Sequence, residues 1–356
     1  MRAFALIVLV ALAALGVLFA TGAFDAKPPV DNEPGVGPAG GGDGTGGATS
    51  GTGEGSSLAG IAPKDRPDIG PRRLTTSRSM LVVAPNPEPW NQTVIMAAGD
   101  VPVLRYAVWY TDRHANMAGA EGPGAGEARG LDKLAGPPDG DWLDANDIDV
   151  VWLDRIDPDA LPDSFWPQLA DRVRAGKTGL WVRMGPPGMK GTEALTVHPL
   201  LAHPVVGPLL PVGEAVPFQG QPLPGVFPKT LAPEVTDVGA KHLASRLVEW
   251  PRWSRSWWQQ LVLGEHGWRV EFAYPVEGVG DGADVLLQVV DGRGTKIPVL
   301  VASTGGPRVL WQAFFDFGRP AQMDRKSQAH TIAWMTQAIA WLAGEPLADP
   351  KDEGGN

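Results

Sequence analysis

The chain has 356 residues, a formal net charge of −10, 43% hydrophobic residues and 20% charged ones, the balance of a globular protein. The acidic excess argues against nucleic acid, whose binding rests on Lys and Arg neutralising phosphates. There is no cysteine, which excludes disulfides, thiolate zinc sites and cysteine nucleophiles together.

Arg2 precedes an almost uninterrupted apolar run from Ala3 to Ala20, and Thr21, Gly22, Ala23 and Phe24 lead to Asp25. A positive start, an apolar core and small residues make a signal segment, with Ala20-Thr21-Gly22 or Thr21-Gly22-Ala23 as the cleavage alternatives. The run approaches the roughly 20 residues that cross a bilayer, so a retained signal anchor over residues 1–24, a transmembrane helix, is the favoured reading. No lipobox exists without Cys. Arg2 stays in the cytoplasm by the positive-inside rule, and everything after Phe24 is placed on the periplasmic, extracytoplasmic side of a cell envelope. Secretion after cleavage is the alternative.

Residues 25–72 read as a disordered linker. Twelve glycines fall from Gly35 to Gly60 among Ser, Thr, Pro and single acids, too little apolar surface to offset ordering entropy. About 45 such residues span roughly 35–40 Å as a coil. Their role is reach.

Residues 73–346 read as one α/β domain, followed by a disordered tail over 347–356. Apolar runs predict strands at 80–84, 103–110 and 148–153, while the Gly-rich stretch 115–141 reads as a loop. A helix follows: Ser164 is the expected N-cap, Pro167 sits at the third position where its missing N–H costs nothing, Phe165, Trp166, Leu169 and Val173 share a face, and Gly176 ends it. Residues 179–184 are the next strand, so strand, helix and strand form a βαβ unit with parallel strands. The Pro- and Gly-rich stretch 197–240 reads as irregular with short strands, and 244–261 as partly helical, interrupted by Pro251. Strands are expected at 269–274, 284–290, 297–303 and 308–314, with hairpin turns at 291–294 and 304–307. A closing helix over 326–343 puts Ile332, Met335, Ile339 and Leu342 on one face, and Gly344 and Pro346 stop it.

This order of pieces resembles the class I glutamine amidotransferase-like superfamily. In particular it resembles non-catalytic versions found in bacterial membrane-associated proteins. Four stretches carry the likeness. The first is Asp149-Val150-Val151-Trp152-Leu153, followed by Leu161-Pro162-Asp163-Ser164-Phe165-Trp166 and Arg174-Ala175-Gly176-Lys177-Thr178-Gly179-Leu180. The second is His198-Pro199-Leu200-Leu201. The third runs from Pro298-Val299-Leu300-Val301 through Gly305-Gly306-Pro307-Arg308-Val309-Leu310-Trp311 to Asp316. The fourth is Ala340-Trp341-Leu342-Ala343-Gly344. The resemblance implies a flavodoxin-like fold: a mostly parallel sheet flanked by helices, with antiparallel hairpins added. Catalytic members place a cysteine, activated by His and Glu, at a tight strand-to-helix turn. This chain has none, the turn after Met184 is Gly-Pro-Pro-Gly, and no G-x-S-x-G pattern offers a serine instead. The fold is kept without the known chemistry, as in a pseudoenzyme.

Open α/β sheets bind ligands at the carboxyl ends of their strands. That singles out Asn86, Asp112, Arg113, His114, Asp154, Arg155 and the loop from Gly185 to Gly188. Polar residues also end strands simply because loops are wet. Asp112, His114 and Asp154 would make an acid–base or metal constellation if they converged. Arg183 inside a strand is expected to pair with Asp154 or Asp316. His198 and His203 stand five apart, each before Pro, which does not suit the i, i+4 helical zinc pair. Trp250, Trp253, Trp257 and Trp258 follow helical spacing; they form either core or an exposed interaction surface. No motif calls for a cofactor or a metal. The reading is an envelope interaction module with a protein partner. The alternatives are a glycan or small-ligand binder, and a hydrolase using Asp and His.

Overall fold

Residues Met80–Ala84, Val150–Leu153 and Leu180–Val182 are apolar without alternation, the pattern of strands covered on both faces. The computed structural model places them in the middle of a sheet. It describes residues 76–85, 104–112, 123–185, 189–190, 193–194, 198–214, 226–246, 255, 258–259, 270–315 and 325–345, all within the unit Gly55–Asn356. The apolar start and the linker lie outside them. Among the described residues no helix is long and apolar enough to cross a membrane.

In chain order the elements are β1 (Arg78–Ala84), β2 (Leu104–Tyr110), β3 (Gly124–Arg129), α1 (Gly140–Ala145), β4 (Val150–Asp154), α2 (Phe165–Arg174) and β5 (Gly179–Arg183). Two short strands follow, β6 (Met189–Lys190) and β7 (Glu193–Ala194), then the single turn α3 (Pro199–Ala202), β8 (Val226–Leu231) and β9 (Glu234–Val235). The chain ends with β10 (Val270–Ala273), β11 (Ala283–Val290), β12 (Lys296–Ser303), β13 (Val309–Gln312), β14 (Phe314–Phe315) and α4 (Arg325–Leu342).

Nine strands form one mixed sheet in the order β3-β2-β1-β4-β5-β13-β12-β11-β9. Strands β2, β1, β4, β5 and β13 are parallel neighbours. Antiparallel strands extend both edges: β3 on β2, and β12, β11 and β9 beyond β13. Among the parallel strands the second in the chain lies outside the first, and the rest follow on the other side. The winding direction therefore reverses between β1 and β4. A smaller sheet, β14-β10-β8, stands apart from the nine.

The expected βαβ unit is present: β4 and β5 pair in parallel, from Val150 opposite Gly179 to Asp154 opposite Arg183. Helix α2 buries Phe165, Trp166, Leu169 and Val173 as the spacing predicts. Ser164 does not cap it. Its backbone is already helical, its hydroxyl makes no cap bond, and the Phe165 N–H donates to the Pro162 carbonyl at 2.9 Å. The stretch 115–141 is not all loop, because β3 and the first residues of α1 lie in it. Strand β3 carries no apolar alternation. It is held by main-chain pairing with β2, by the Tyr106 hydroxyl donating to Glu127 at 2.6 Å and by Arg129 donating to the Leu104 carbonyl at 2.6 Å. The expected strand 308–314 is two strands. At Ala313 the N–H donates to Val299 of β12 while the carbonyl accepts from Tyr274, after β10, so the chain passes from the large sheet to the small one.

Helix α4 departs from a one-faced pattern. Thr331, Trp334–Ala340 and Leu342 are buried; Thr336 donates back along the helix to the Ile332 carbonyl at 2.9 Å, and Gln337 reaches outside it to the Leu243 carbonyl at 2.6 Å. Its carboxyl end meets the start of β5. A Cβ on Gly179 would stand 2.3 Å from the Leu342 carbonyl oxygen. Arg308 donates to that same oxygen and to the Gly176 carbonyl, both at 2.8 Å, closing the ends of α4 and α2 together. Gly179→Ala is expected to cost about 1–3 kcal/mol, the range of a forced overpacking. Gly292→Ala, in an open turn with nothing within 4 Å of the new Cβ, is expected to stay within about 0.5 kcal/mol. Denaturant midpoints of the two variants check this, and equal midpoints would refute the close approach.

Candidate functional site

Successive residues of a strand point to opposite faces of the sheet. On β4 and β5, Trp152, Asp154, Trp181 and Arg183 therefore share one face. Trp152 and Trp181 stand 5.5 Å apart by ring centroids, Trp181 meets Trp334 of α4 edge-on at 5.5 Å, and Trp334 meets Trp258 at 6.0 Å. This aromatic row floors the region where Asp154 and Arg183 end their strands.

Both of those side chains are fully buried. Arg183 binds the Asp154 carboxylate with two nitrogens, Nε to Oδ1 at 2.5 Å and Nη2 to Oδ2 at 3.0 Å. Arg155 adds Nε to Oδ1 at 3.2 Å. The parallel register sets the first contact, since the two residues are direct partners across the strands. The second requires a turn, and Arg155 takes a positive φ of 54°, a conformation unusual outside glycine. Its N–H donates to the Arg183 carbonyl at 2.9 Å, which holds the turn. Gly185 makes room for it: a Cβ there would lie 2.9 Å from Cδ of Arg155.

Burial alone would push the Asp154 carboxyl up. The opposing charges of Arg183 and Arg155 and their hydrogen bonds outweigh this and hold it below the usual carboxylate range. An ionised carboxylate gripped by three N–H donors is a poor general base, because its basicity is already engaged. Next to it, Gln312 of β13 pairs in register with Arg183. Its Oε1 accepts from Trp181 Nε1 at 3.1 Å. Gln312 breaks an otherwise apolar strand, Val309-Leu310-Trp311, and that interruption is the sequence signal that would have marked it.

Asp112, the other expected site carboxylate among the described residues, does not join this pair. Asp112 is exposed, with its N–H donating to the Pro85 carbonyl at 2.7 Å. It follows β2, and β1 lies between β2 and β4, so at about 4.8 Å per strand the backbones of β2 and β4 are about 10 Å apart. Asn86, Arg113, His114, Asp316 and the loop 186–188 lie outside the described residues, as do Trp250, Trp253 and Trp257. Trp258 is a correction to the exposed-surface reading. It is buried, donating Nε1 to the Ser245 carbonyl at 2.9 Å. His198 and His203 flank the turn α3, with Pro199 at its first position, so that proline opens a helical turn rather than preventing one. No group of three or more His, Asp or Glu able to hold a metal occurs among the described residues.

Asp154→Asn leaves the buried Arg183 guanidinium and the half-buried Arg155 without their carboxylate and is expected to lower unfolding free energy by about 3–5 kcal/mol. Arg183→Met, which keeps Arg155 as a counter-charge and fills apolar volume, is expected to cost less. Chemical denaturation at pH 7 orders the two, and a near-neutral D154N would refute the buried pair.

No family model and no curated protein matches the chain. Among solved structures, that of a Thermoplasma acidophilum protein assigned as part of a GMP synthase covers 75% of this chain and 97% of its own at 9% identity, with a TM-score of 0.34. An overlap that loose carries no argument, and the fold stands on the strand order itself.

Proposed function

We propose that this chain is a membrane-tethered, non-catalytic, amidotransferase-like domain that works in the cell envelope by contact with a protein partner. The observation that carries the reading is the occupied carboxyl end of β4 and β5. Where a catalytic α/β domain presents reactive groups, Asp154 is buried and bound by Arg183 and Arg155, and the chain has no cysteine to act as nucleophile. The order of the parallel strands, β2-β1-β4-β5-β13, supports the flavodoxin-like assignment, since second-first-third-fourth-fifth is the order of that fold. The apolar run from Ala3 to Ala20 and the glycine-rich residues after it support an anchor and a reach outward.

Two measurements test this. A C-terminal epitope on the full chain is expected to sediment with membranes and to be digested by protease added to intact spheroplasts; a soluble, protected epitope would overturn the tethered placement. Purified full chain is expected to release no ammonia from L-glutamine above buffer, while crosslinking in membranes returns the same partner from independent preparations. Glutamine hydrolysis, or no reproducible partner, would overturn the non-catalytic contact role.

A further inference from the structure

His198, His203 and His242, the histidines whose side chains are described, all do the same thing. Each turns Nδ1 back to accept backbone N–H groups that follow it: Leu200 for His198 at 3.2 Å, Val205 and Val206 for His203 at 3.4 and 3.3 Å, and Ala244 for His242 at 3.1 Å. In His198-Pro199 and His203-Pro204 the proline has no N–H, so the next residue is the first donor a cap can meet. Each ring also rests on an aromatic side chain from elsewhere: His198 on Tyr274, His203 on Trp166 of α2, His242 on Trp341 of α4.

Two of these caps bracket one segment. Residues 198–210 run from the Tyr274 hydroxyl, which accepts the His198 N–H at 2.6 Å, through α3, to the Trp166–His203 contact and a second short turn. The segment buries Leu200, Val206 and Leu210. An imidazole accepts at Nδ1 only while that nitrogen is unprotonated. Protonation would point a donor at backbone donors and, at His198, would place a charge inside the packed segment.

We propose that residues 198–210 form an acid-released strap, latched at its two turns by the Nδ1 atoms of His198 and His203. On release it uncovers Leu200, Val206, Leu210 and the face of Tyr274 beneath it. Among the groups around the latches, Tyr274 is the titratable one on His198 and is itself pushed up to about 12 by burial, so it stays neutral throughout. Asp159 and Asp163, preceding α2, face His203 and favour its charged form, against the burial that lowers it. His242 lies outside the strap, lowered chiefly by burial and opposed by Asp284 of β11. Burial lowers His198 from 6.5 to about 4. The sign follows: the open strap binds a proton that the closed strap refuses, so closure is complete above pH 6.5 and weakens as pH falls toward about 4.

Hydrogen exchange of the full chain in detergent, corrected for the intrinsic rate, reads this directly. Opening of residues 198–210 is expected to rise about tenfold per pH unit between pH 6.5 and 4 for each histidine that charges on opening, while β12 stays flat. The double variant His198→Asn, His203→Asn keeps a capping side chain that does not titrate and is expected to lose the slope. A flat wild-type strap, or a slope that survives in the double variant, overturns the proposal. Should that variant fail to fold, imidazole 15N shifts of the wild type decide. His198 Nδ1 unprotonated to about pH 5, then charging together with the rise in exchange, supports the latch; charging near 6.5 with no rise overturns it.

Discussion

The contact on which the rest of the sheet's carboxyl end depends is the buried pair between Asp154 and Arg183. Neither charge would tolerate full burial alone, and a lone ion in the interior costs several kcal/mol even after relaxation. Each is therefore the condition for the other. Because the two residues are direct partners in the parallel register, a slip of one residue between β4 and β5 would send one side chain to the opposite face and strand both. The pair thus acts as a register lock. Its net stabilisation is small beside what its rupture costs, which is the usual asymmetry of buried ion pairs.

Arg155 turns that lock into a constraint on the loop as well. To bring its Nε to Asp154 the backbone adopts a left-handed conformation that costs of order 1–3 kcal/mol. The charge contact and the hydrogen bond to the Arg183 carbonyl offset this. Gly185 leaves room for that side chain: a Cβ there would stand 2.9 Å from Cδ of Arg155, which would have to shift. The opposite end of the sheet is tied by different means. There Arg308 gathers the carbonyls of Leu342 at the end of α4 and of Gly176 just beyond α2, and Arg78 bonds both Asp149 and Glu345, at 3.1 and 2.9 Å. Between the two ends the tryptophans of β4, β5 and α4 supply apolar contact.

What could be read from the sequence follows how each element is held. Strands β1, β2, β4 and β5 are buried on both faces, so their apolar runs announced them, and β11 and β12 were marked by the turn at Asp291, whose side chain accepts the Arg293 and Thr295 N–H groups at 2.8 Å. Strand β3 was hidden because main-chain pairing and polar side chains hold it, and neither leaves a hydrophobic period. Helix α1 was hidden because six residues are too few for a period to show; its Asp139 cap, accepting from the Trp142 N–H at 2.8 Å, was the available signal. Ser164 looked like a cap only because local sequence cannot tell an N-cap from the last residue of a preceding turn. Trp258 looked like a surface candidate because spacing reports a helical face but not what covers it. Arg183 was legible as an oddity with a partner, and Asp154 was named as one of two. The capping role of His198 and His203 was not legible, since it depends on where Tyr274 and Trp166 come to rest.

The disposition of polar groups bears on the proposed contact role. In open α/β folds a ligand at the carboxyl edge is bound by hydrogen-bonding capacity that the protein leaves unspent there: backbone N–H groups, a nucleophile, a carboxylate. At β4 and β5 the carboxylate's share of that capacity is turned inward. Asp154 gives its acceptor positions to Arg183 and Arg155, the Arg155 N–H goes to Arg183, and Gln312 spends its carbonyl on Trp181. A ligand that used the Asp154 carboxylate would have to break a buried ion pair, and the cost of uncovering those charges would exceed what a few new hydrogen bonds return. Asp154 and Arg183 therefore serve the register and the loop at this edge of the sheet, and the carboxylate is withheld from chemistry there.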